Sequence, residues 1–274
     1  MNQINKNIEQ IRKWINEKNI DAFIIPHDDE YLSEYIPPEN ERLTWASEFT
    51  GSTGSVIIRE NDATIFVDGR YTVQVKQQVD NEIYEICHLA NTSILKWMKE
   101  KLEKGTRLGY DPRLHRVNWV KSTSKMLQNQ VDLISMDQNP VDLNWKNRPK
   151  SSMDKALLLD LKYAGLSSEK KRKLMGAIIS NNQCDAAFIT RLDSIAWILN
   201  IRGNDVPCNP VLLSHGLIHA NGNFDLFINE SKIPNGFHEH VGNNVNVHPE
   251  ENVKSVLSKL SGKNIQLDFN GSNA

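Results

Sequence analysis

The feature that most constrains the fold of this chain is an internal repeat. Isoleucines spaced four, three and four residues apart across positions 4–15 predict an amphipathic helix, and the apolar segment 19–25 predicts a buried strand after it. Residues 168–190 repeat this plan, with Ser168 expected to cap the helix. The phrase Asp-Ala-Phe-Ile-Ile in the first half corresponds to Asp-Ala-Ala-Phe-Ile in the second. A repeat of this kind predicts two similar structural units.

Each half continues with a predicted β-hairpin. In the first half the apolar segments 56–58 and 64–67 flank a polar turn. In the second half, segments 211–213 and 224–228 flank a turn that contains Asn221-Gly222, the strongest short turn signal. The two halves therefore share a hairpin as well as a helix and a strand.

The connections before the hairpins show the same correspondence. The segments that begin at Asp29 and at Asp193 are interpreted as equivalent. The segment that begins at Asp193 is predicted to be a helix that ends at Gly203. Arg202 and Asp205 come after that helix and are spaced so that a local ion pair is expected.

After the hairpin, each half has a predicted helix that ends at a glycine and leads into a strand. The helix at 93–104 ends at Gly105, and the helix at 250–260 ends at Gly262. The first half adds a helix near 115–128 and a strand at 131–134, for which the second half shows no counterpart. The repeat therefore predicts that the second domain lacks roughly 30 residues and that the chain is a fragment.

The predicted fold class is α/β, with two homologous domains that each contain a mixed sheet. The first domain is placed at residues 1–143 and the second, incomplete at its C-terminus, at 153–274. A polar stretch that contains Pro149 predicts a linker at 144–152.

Composition excludes several classes of function. A formal net charge of −2 argues against a broad surface for nucleic acid or anionic membrane. The N-terminus shows no signal peptide, and the chain has no apolar run long enough for a transmembrane helix, so a cytoplasmic protein is expected. Its three cysteines, Cys87, Cys184 and Cys208, are widely spaced and are expected to be reduced thiols.

The short motifs form no complete catalytic set. The glycine-rich loop 51–55 lacks the pattern of a phosphate-binding loop and is interpreted as a tight turn into a strand. A hard-cation site at the carboxylates 28–30 is left open, with no further ligand identifiable, and the histidines at 238, 240 and 248 are interpreted as part of a solvated loop. Arg70 comes after a strongly apolar strand, where an ion pair with a nearby carboxylate and a role in a substrate cleft are both open.

Several of these segments, in this order and spacing, resemble the three-domain Xaa-Pro aminopeptidases, the aminopeptidase P family. The segments that carry the resemblance span about residues 8–230 and are Ser33–Ile36, Phe49–Gly54, Asp68–Tyr71 with Gln74, Trp145 with Arg148-Pro149, Tyr163–Gly165, and Leu192–Val211. The chain departs from the family at Tyr31-Leu32, where relatives often carry a histidine.

The resemblance implies two N-terminal domains of the creatinase type that recognise substrate and act as a scaffold. A C-terminal catalytic domain of the pita-bread fold would come next. There, two divalent metals, usually manganese, activate a water that cleaves the bond before a proline at position two. No catalytic or metal-binding residue is expected within this chain, which is expected to be inactive alone. Arg70 is the first candidate for a cleft-facing residue, and Tyr71 and Arg202 come after it.

The partners implied are the chain's own catalytic domain, peptides with proline at position two, and a second copy in a homodimer. Two alternatives stay open at this point. One is a non-catalytic module that binds peptides or proteins, as in a histone-chaperone large subunit that has related domains. The other is the N-terminal region of another pita-bread hydrolase, of the prolidase or creatinase type.

Overall fold

The computed structural model describes residues 3–274, which form two compact units. The first unit extends to Lys150 and also takes in Asn273 and Ala274, and the second is Ser151–Ser272. The boundaries expected from the sequence for two domains and a linker stay a prediction. No helix within residues 3–274 is both long enough and apolar enough to cross a bilayer.

The first unit is built on a six-stranded mixed sheet. Its strands are β1 (Ala22–Pro26), β2 (Ser55–Arg59), β3 (Ala63–Val67), β4 (Tyr84–His88), β5 (Thr106–Tyr110) and β6 (Val131–Ser135). They lie in the order β4-β3-β2-β1-β5-β6, in which β1–β2 and β2–β3 are antiparallel and the other pairs parallel. Both β1 and β3 are buried at every residue, as expected for strands covered on both faces.

Helices cover both faces of this sheet. They are α1 (Gln3–Glu17), α2 (Arg42–Ser47), α3 (Gln74–Gln78), α4 (Ile94–Lys101), α5 (Val117–Leu127) and α6 (Pro140–Asn144). The isoleucine stripe of α1 packs on one face together with residues of α2 and α6, and α4 and α5 pack on the other. Ser93 caps α4 by accepting a hydrogen bond from the backbone N–H of Lys96.

The second unit contains a five-stranded mixed sheet and a two-stranded one. Its strands are β7 (Leu157–Leu158), β8 (Ala186–Ile189), β9 (Ile201–Arg202), β10 (His215–His219), β11 (Phe224–Phe227), β12 (Val245–His248) and β13 (Ile265–Gln266). Its helices are α7 (Leu161–Ala164), α8 (Ser168–Asn181), α9 (Leu192–Leu199), α10 (Phe237–Val241) and α11 (Val253–Ser258). The larger sheet has the order β12-β11-β10-β8-β13, and β7 pairs with β9.

The internal repeat is confirmed strand by strand. β8, β10, β11, β12 and β13 reproduce the order and directions of β1, β2, β3, β4 and β5. Single hydrogen bonds repeat as well: Asn7 donates to the carbonyl oxygen of Trp45, and Lys171 donates to that of Trp197, both at 2.9 Å. Within residues 3–274, β6 has no counterpart in the second sheet.

Two details of the predicted elements are wrong. The hairpin strand expected at 211–213 is β10, His215–His219, and 211–213 is instead a buried loop. The apolar segment 211–213 resembles a strand in sequence because these loop residues are as buried as strand residues. The cap of α8 is Ser167, which accepts a hydrogen bond from the N–H of Lys170, and Ser168 is the first helical residue.

The interpretation of the connections is also wrong in three respects. The segment equivalent to α9 is α2, not the one at Asp29, because Trp197 and Trp45 hold matching positions. α9 ends at Asn200, whose φ of 52° gives the left-handed cap, rather than at Gly203. Asp205 pairs with Lys232 at 2.6 Å, so the expected partner of Arg202 is already taken.

Candidate functional site

Arg70 lies in the turn that comes after β3. Asp68 caps this turn by accepting a hydrogen bond from the backbone N–H of Arg70. The guanidinium of Arg70 binds the same carboxylate through Nη2 at 2.8 Å and Nε at 3.1 Å, and Nη2 also donates to Oγ1 of Thr53. These bonds from Arg70 hold the pKa of Asp68 below its ordinary value, so the pair stays ionised. With 56% of its side chain exposed, Arg70 remains open to a ligand.

Tyr71 ties this turn to the glycine-rich loop 51–54. Its hydroxyl accepts a hydrogen bond from the backbone N–H of Ser52 at 3.0 Å and lies 2.8 Å from the Ser52 hydroxyl. Its ring packs edge-on against Phe49, with 5.4 Å between centroids. Gly51 is required here, because a Cβ would lie 2.3 Å from the ring of Phe49. Tyr71 is therefore anchored from both ends and positions the loop beside Arg70.

The repeat supplies an internal control for these two residues. In the second unit the equivalent turn is capped by Asn229, which accepts from the N–H of Ser231 as Asp68 does from Arg70. The position of Arg70 is therefore occupied by Ser231, so the turn forms without an arginine. Lys232 replaces Tyr71 and ties its turn to the preceding loop through Asp205. The position of Tyr71 thus has a structural task in both units, whereas the guanidinium of Arg70 does not.

Arg202 belongs to the second unit and has a different environment. It lies on β9, and its Nη1 donates to the carbonyl oxygens of Ala196 and Ile201, at 3.1 and 2.8 Å. The contact with Ala196 holds the end of α9 to β9, and the contact with Ile201 lies within β9. The structure therefore brings Arg70 and Tyr71 together in one site, and the observed bonds of Arg202 are those of a helix terminus.

A set of neutral side chains near Arg70 was not predicted as part of the site, although Thr50 and Gln74 lie in segments that carry the family resemblance. Thr50 accepts hydrogen bonds at its hydroxyl from the side-chain amides of Gln74 and Gln78, at 3.0 and 2.8 Å. Gln78 also accepts from the backbone N–H of Thr50. The i, i+4 spacing of the two glutamines on α3 was the available signal. Together they add polar groups to the exposed rim around loop 50–54.

The three carboxylates at 28–30 each have a separate partner. Asp28 pairs with Arg116 at 3.1 Å, and Glu30 pairs with Arg42. Asp29 is fully buried and accepts from the side chain of Asn40 and the backbone N–H of Tyr31. Burial raises the pKa of Asp29 to about 6, even though these hydrogen bonds lower it. Each of these carboxylates has its own partners, and within residues 3–274 they form no cation-binding cluster.

The histidines of the second unit show a similar pattern. His238 and His240 lie on α10, and His240 bonds the carbonyl oxygen of Asn200. On the sheet, Asp225 bonds Nε2 of His219 and of His248, at 2.8 and 2.9 Å. Within residues 3–274, no three His, Cys, Asp or Glu side chains are arranged to hold a metal ion. The described residues therefore do not fit a metal centre, and no catalytic step is assigned to them.

Comparison with known proteins places both units in one family. Residues 7–141 and residues 147–274 each match a family described as the Creatinase/Prolidase N-terminal domain. The chain therefore belongs to the creatinase/prolidase N-terminal family and carries two domains of that type.

Relatives of the whole chain are Xaa-Pro aminopeptidases. A probable Xaa-Pro aminopeptidase P of Paracoccidioides brasiliensis is 31% identical over 96% of this chain and 43% of its own length. Xaa-Pro aminopeptidase app-1 of Caenorhabditis elegans is 30% identical over 91% of this chain and 41% of its own length. The chain thus spans less than half the length of these curated relatives and corresponds to the N-terminal part of that family.

A solved structure agrees in fold over nearly the whole chain. The X-prolyl aminopeptidase of C. elegans, described as a cytosolic enzyme with a di-nuclear active site, superposes with a TM-score of 0.89 at 27% identity. The match covers 93% of this chain and 44% of that one.

Proposed function

We propose that this chain is the substrate-recognition and scaffold region of a cytosolic metallo-aminopeptidase that removes the residue preceding an N-terminal proline. The observation that carries the proposal is the match of 93% of the chain to the X-prolyl aminopeptidase of C. elegans. That enzyme has a di-nuclear active site, and residues 3–274 of this chain provide no ligand set for one. The chemistry is therefore assigned to a separate catalytic domain with two divalent metals, manganese in our proposal. The chain itself is inactive alone.

Arg70 is the residue we assign to the substrate cleft. Its guanidinium is exposed and always charged, and the fork of N–H donors suits a peptide carbonyl or carboxylate. Asp68 and Thr53 hold it in one orientation, which reduces the entropy lost on binding. Tyr71 positions the adjoining loop, and Arg202 is retained as a weaker cleft candidate because it is only partly exposed. A homodimer and peptides with proline at position two complete the proposed partners.

Hydrolysis of an Xaa-Pro-Xaa peptide with excess Mn²⁺ tests the assignment of chemistry. The assay compares this chain with the longer polypeptide from the same gene. We expect activity in the longer polypeptide only. Activity in neither would favour a non-catalytic peptide-binding module, and activity in this chain alone would contradict its proposed inactivity.

Replacing Arg70 with alanine in the longer polypeptide tests the cleft assignment. Loss of a hydrogen bond to a charged donor costs about 1.5–3 kcal/mol, so kcat/KM should fall about ten- to a hundredfold. The fold should be nearly unaffected, because an exposed ion pair contributes little to stability.

Arg59 provides a matched control. It pairs with Asp62 at 2.6 Å at the opposite end of the β2–β3 hairpin from Asp68. The variant Arg59→Ala should leave kcat/KM unchanged. Equal losses in the two variants would show that Arg70 acts through the hairpin rather than in the cleft.

A further inference from the structure

The three Asn-Gly pairs of the chain all lie in the second unit, at 221–222, 235–236 and 270–271. In such a pair the backbone nitrogen of the glycine can attack the side-chain carbonyl carbon of the asparagine, because glycine has no Cβ to hinder the approach. The attack needs a backbone N–H that is free to lose its proton and an asparagine side chain that is free to turn towards it. The three pairs differ in both respects.

Two of the pairs are held by hydrogen bonds. In the β10–β11 turn, the N–H of Gly222 donates to the carbonyl oxygen of His219 at 2.9 Å. The asparagine side chain of the same pair accepts from the N–H of Asn223 at 3.0 Å. After β13, the N–H of Gly271 donates to the carbonyl oxygen of Asp268 at 3.1 Å. In both pairs the attacking nitrogen is therefore engaged.

The pair 235–236 has neither restraint. Both of its residues are exposed and come just before α10. Within residues 3–274, the N–H of Gly236 has no acceptor and the side chain of Asn235 makes no hydrogen bond. A Cβ at Gly236 would meet its nearest atom beyond the adjoining residues at Leu158, 3.9 Å away. The space beside the attacking nitrogen is therefore open.

We propose that Asn235 is a site of spontaneous deamidation and isomerisation. The nitrogen of Gly236, once deprotonated, forms a bond to Cγ of Asn235, and the side-chain nitrogen leaves as ammonia with the proton that the amide lost. Water then opens the resulting cyclic imide at either carbonyl. One opening gives aspartate on the normal backbone, and the other gives isoaspartate, in which the chain runs through the former side chain. The overall reaction consumes water, releases ammonia and needs no oxidant or reductant.

Isoaspartate at 235 lengthens the backbone beside a buried anchor. The N–H of Phe237 donates to the carbonyl oxygen of Pro234 at 3.3 Å and so closes the turn around 235–236. Phe237 is 1% exposed and belongs to the core of the second unit. An additional backbone atom inside this turn opens it and displaces the start of α10.

The far end of α10 carries the effect to two other helices. His240 bonds the carbonyl oxygen of Asn200, which caps α9, and the carbonyl oxygen of Val241 accepts from Arg172 of α8 at 3.0 Å. Displacement of α10 weakens both contacts. Deamidation is therefore a slow covalent change that loosens the second unit and leaves the first, which has no Asn-Gly pair, intact.

Timed incubation of this chain at mildly alkaline pH tests the site. Peptides that contain positions 221, 235 and 270 are separated into their asparagine, aspartate and isoaspartate forms against synthetic standards. We expect conversion at 235 to be at least about fivefold faster than at 221 or 270, the factor for one hydrogen bond that must first break. Equal rates at the three pairs would overturn the proposal.

Unfolding supplies the control for flanking sequence. In concentrated urea the hydrogen bonds at Gly222 and Gly271 are lost, so the three rates should converge. If position 235 stays ahead of the other two in urea, its neighbours in sequence set the rate rather than the fold, and the proposal is overturned.

Two variants separate the longer backbone from the added charge. After ageing, the amides of 237–241 in this chain should exchange at least about tenfold faster than in the fresh chain. Fresh Asn235→Asp carries the charge on a normal backbone and should exchange like the fresh chain. Aged Asn235→Gln should do the same, because its longer side chain would have to close a larger ring. Faster exchange in either variant would show that charge or another site loosens α10, which overturns the proposal.

Discussion

The two units each bury an arginine but satisfy it in opposite ways. In the first unit, Arg42 has a 1% exposed side chain and binds the carboxylates of Glu30 and Asp142, at 2.5 and 2.7 Å. In the second, Arg172 donates to the neutral carbonyl oxygens of Gly222, Val241 and Asn243. A buried guanidinium can therefore be satisfied by ion pairs or by backbone oxygens, depending on what the neighbouring loops present.

This difference is visible in the direction of the pKa shifts. Burial alone lowers the pKa of an arginine, but Glu30 and Asp142 raise that of Arg42 above its ordinary value. Within residues 3–274 no carboxylate forms an ion pair with Arg172, and burial lowers its pKa although the charge of Glu169 raises it. The first unit thus holds its buried arginine, on α2, by charge, and the second unit holds its own, on α8, by dipoles.

Removal of Arg42 should have the largest effect on stability. Arg42→Ala removes the most buried of the three arginines around Glu30 and Asp142, and breaking a buried pair costs about 3–5 kcal/mol. The loss in the free energy of unfolding is measured by urea denaturation. It should shrink at acidic pH, because burial raises the pKa of Asp142 but its arginines outweigh burial and lower it, and the ion pairs are lost once that carboxylate is protonated.

Arg172→Ala is the matched variant in the second unit. It leaves neutral carbonyl oxygens unsatisfied, so its cost should not change with pH between about 4 and 7. A surface control is Lys13→Ala, whose pair with Glu17 is 3.9 Å long and exposed. The same pH dependence for both arginine variants would contradict the distinction between charge and dipoles.

Two buried aspartates should give the units opposite pH dependence. Burial raises the pKa of Asp29 in the folded state to about 6 from 3.8. Its favourable contribution to the free energy of unfolding is therefore complete below pH 3.8 and is lost as the pH rises through about 6. The shift corresponds to about 3 kcal/mol. Asp29→Asn should therefore remove a decline in stability of the first unit between about pH 4 and 7.

Asp225 in the second unit has the reverse sign. Burial raises its pKa, but hydrogen bonds from His219, Asn246 and His248 outweigh burial and lower it. Its favourable contribution to the free energy of unfolding is complete above about pH 4, the pKa of an aspartate in the unfolded chain. That contribution is lost as the pH falls through the lower pKa of the folded state. Site-resolved hydrogen exchange across this pH range measures both units in one sample. A common pH dependence would show that neither carboxylate dominates its unit.

A smaller effect is expected where α8 crosses the β10–β11 turn. A Cβ at Gly176 would lie 2.7 Å from the carbonyl oxygen of Ala220, so Gly176→Ala forces a backbone shift. Overpacking of this kind costs about 1–3 kcal/mol. The equivalent residue of the first unit is Arg12, which reaches the carbonyl oxygen of Arg59 at 3.0 Å. Arg12→Ala should cost less, and a larger loss there than at Gly176 would contradict the packing argument.

The sequence predicted the repeat because helix periodicity and the two Asp-Ala phrases are local signals. It did not predict that Trp45 and Trp197 hold equivalent positions in the two units. That equivalence is visible only in hydrogen bonds from Asn7 and Lys171, which lie 38 and 26 residues away along the chain. The apolar segment 211–213 predicts a strand but forms a buried loop, because burial, not strand pairing, determines how apolar a segment is. Long-range contacts of this kind carry no periodic signal.

The sequence predicted Arg70 and Tyr71 as cleft candidates but not the different contacts that they make. That distinction required the second unit, where Ser231 and Lys232 occupy the same turn. Thr50 and Gln78 were missed because they meet across 28 residues.

The most direct measurement of the central claim is hydrogen exchange of this chain alone at two equivalent strands. β5 has β6 on its outer edge, whereas β13 has no neighbour there within residues 3–274. We expect slow exchange at the amides of 106–110 and exchange at least about tenfold faster at 265–266. Equal protection of the two strands would contradict the account of one closed and one open unit.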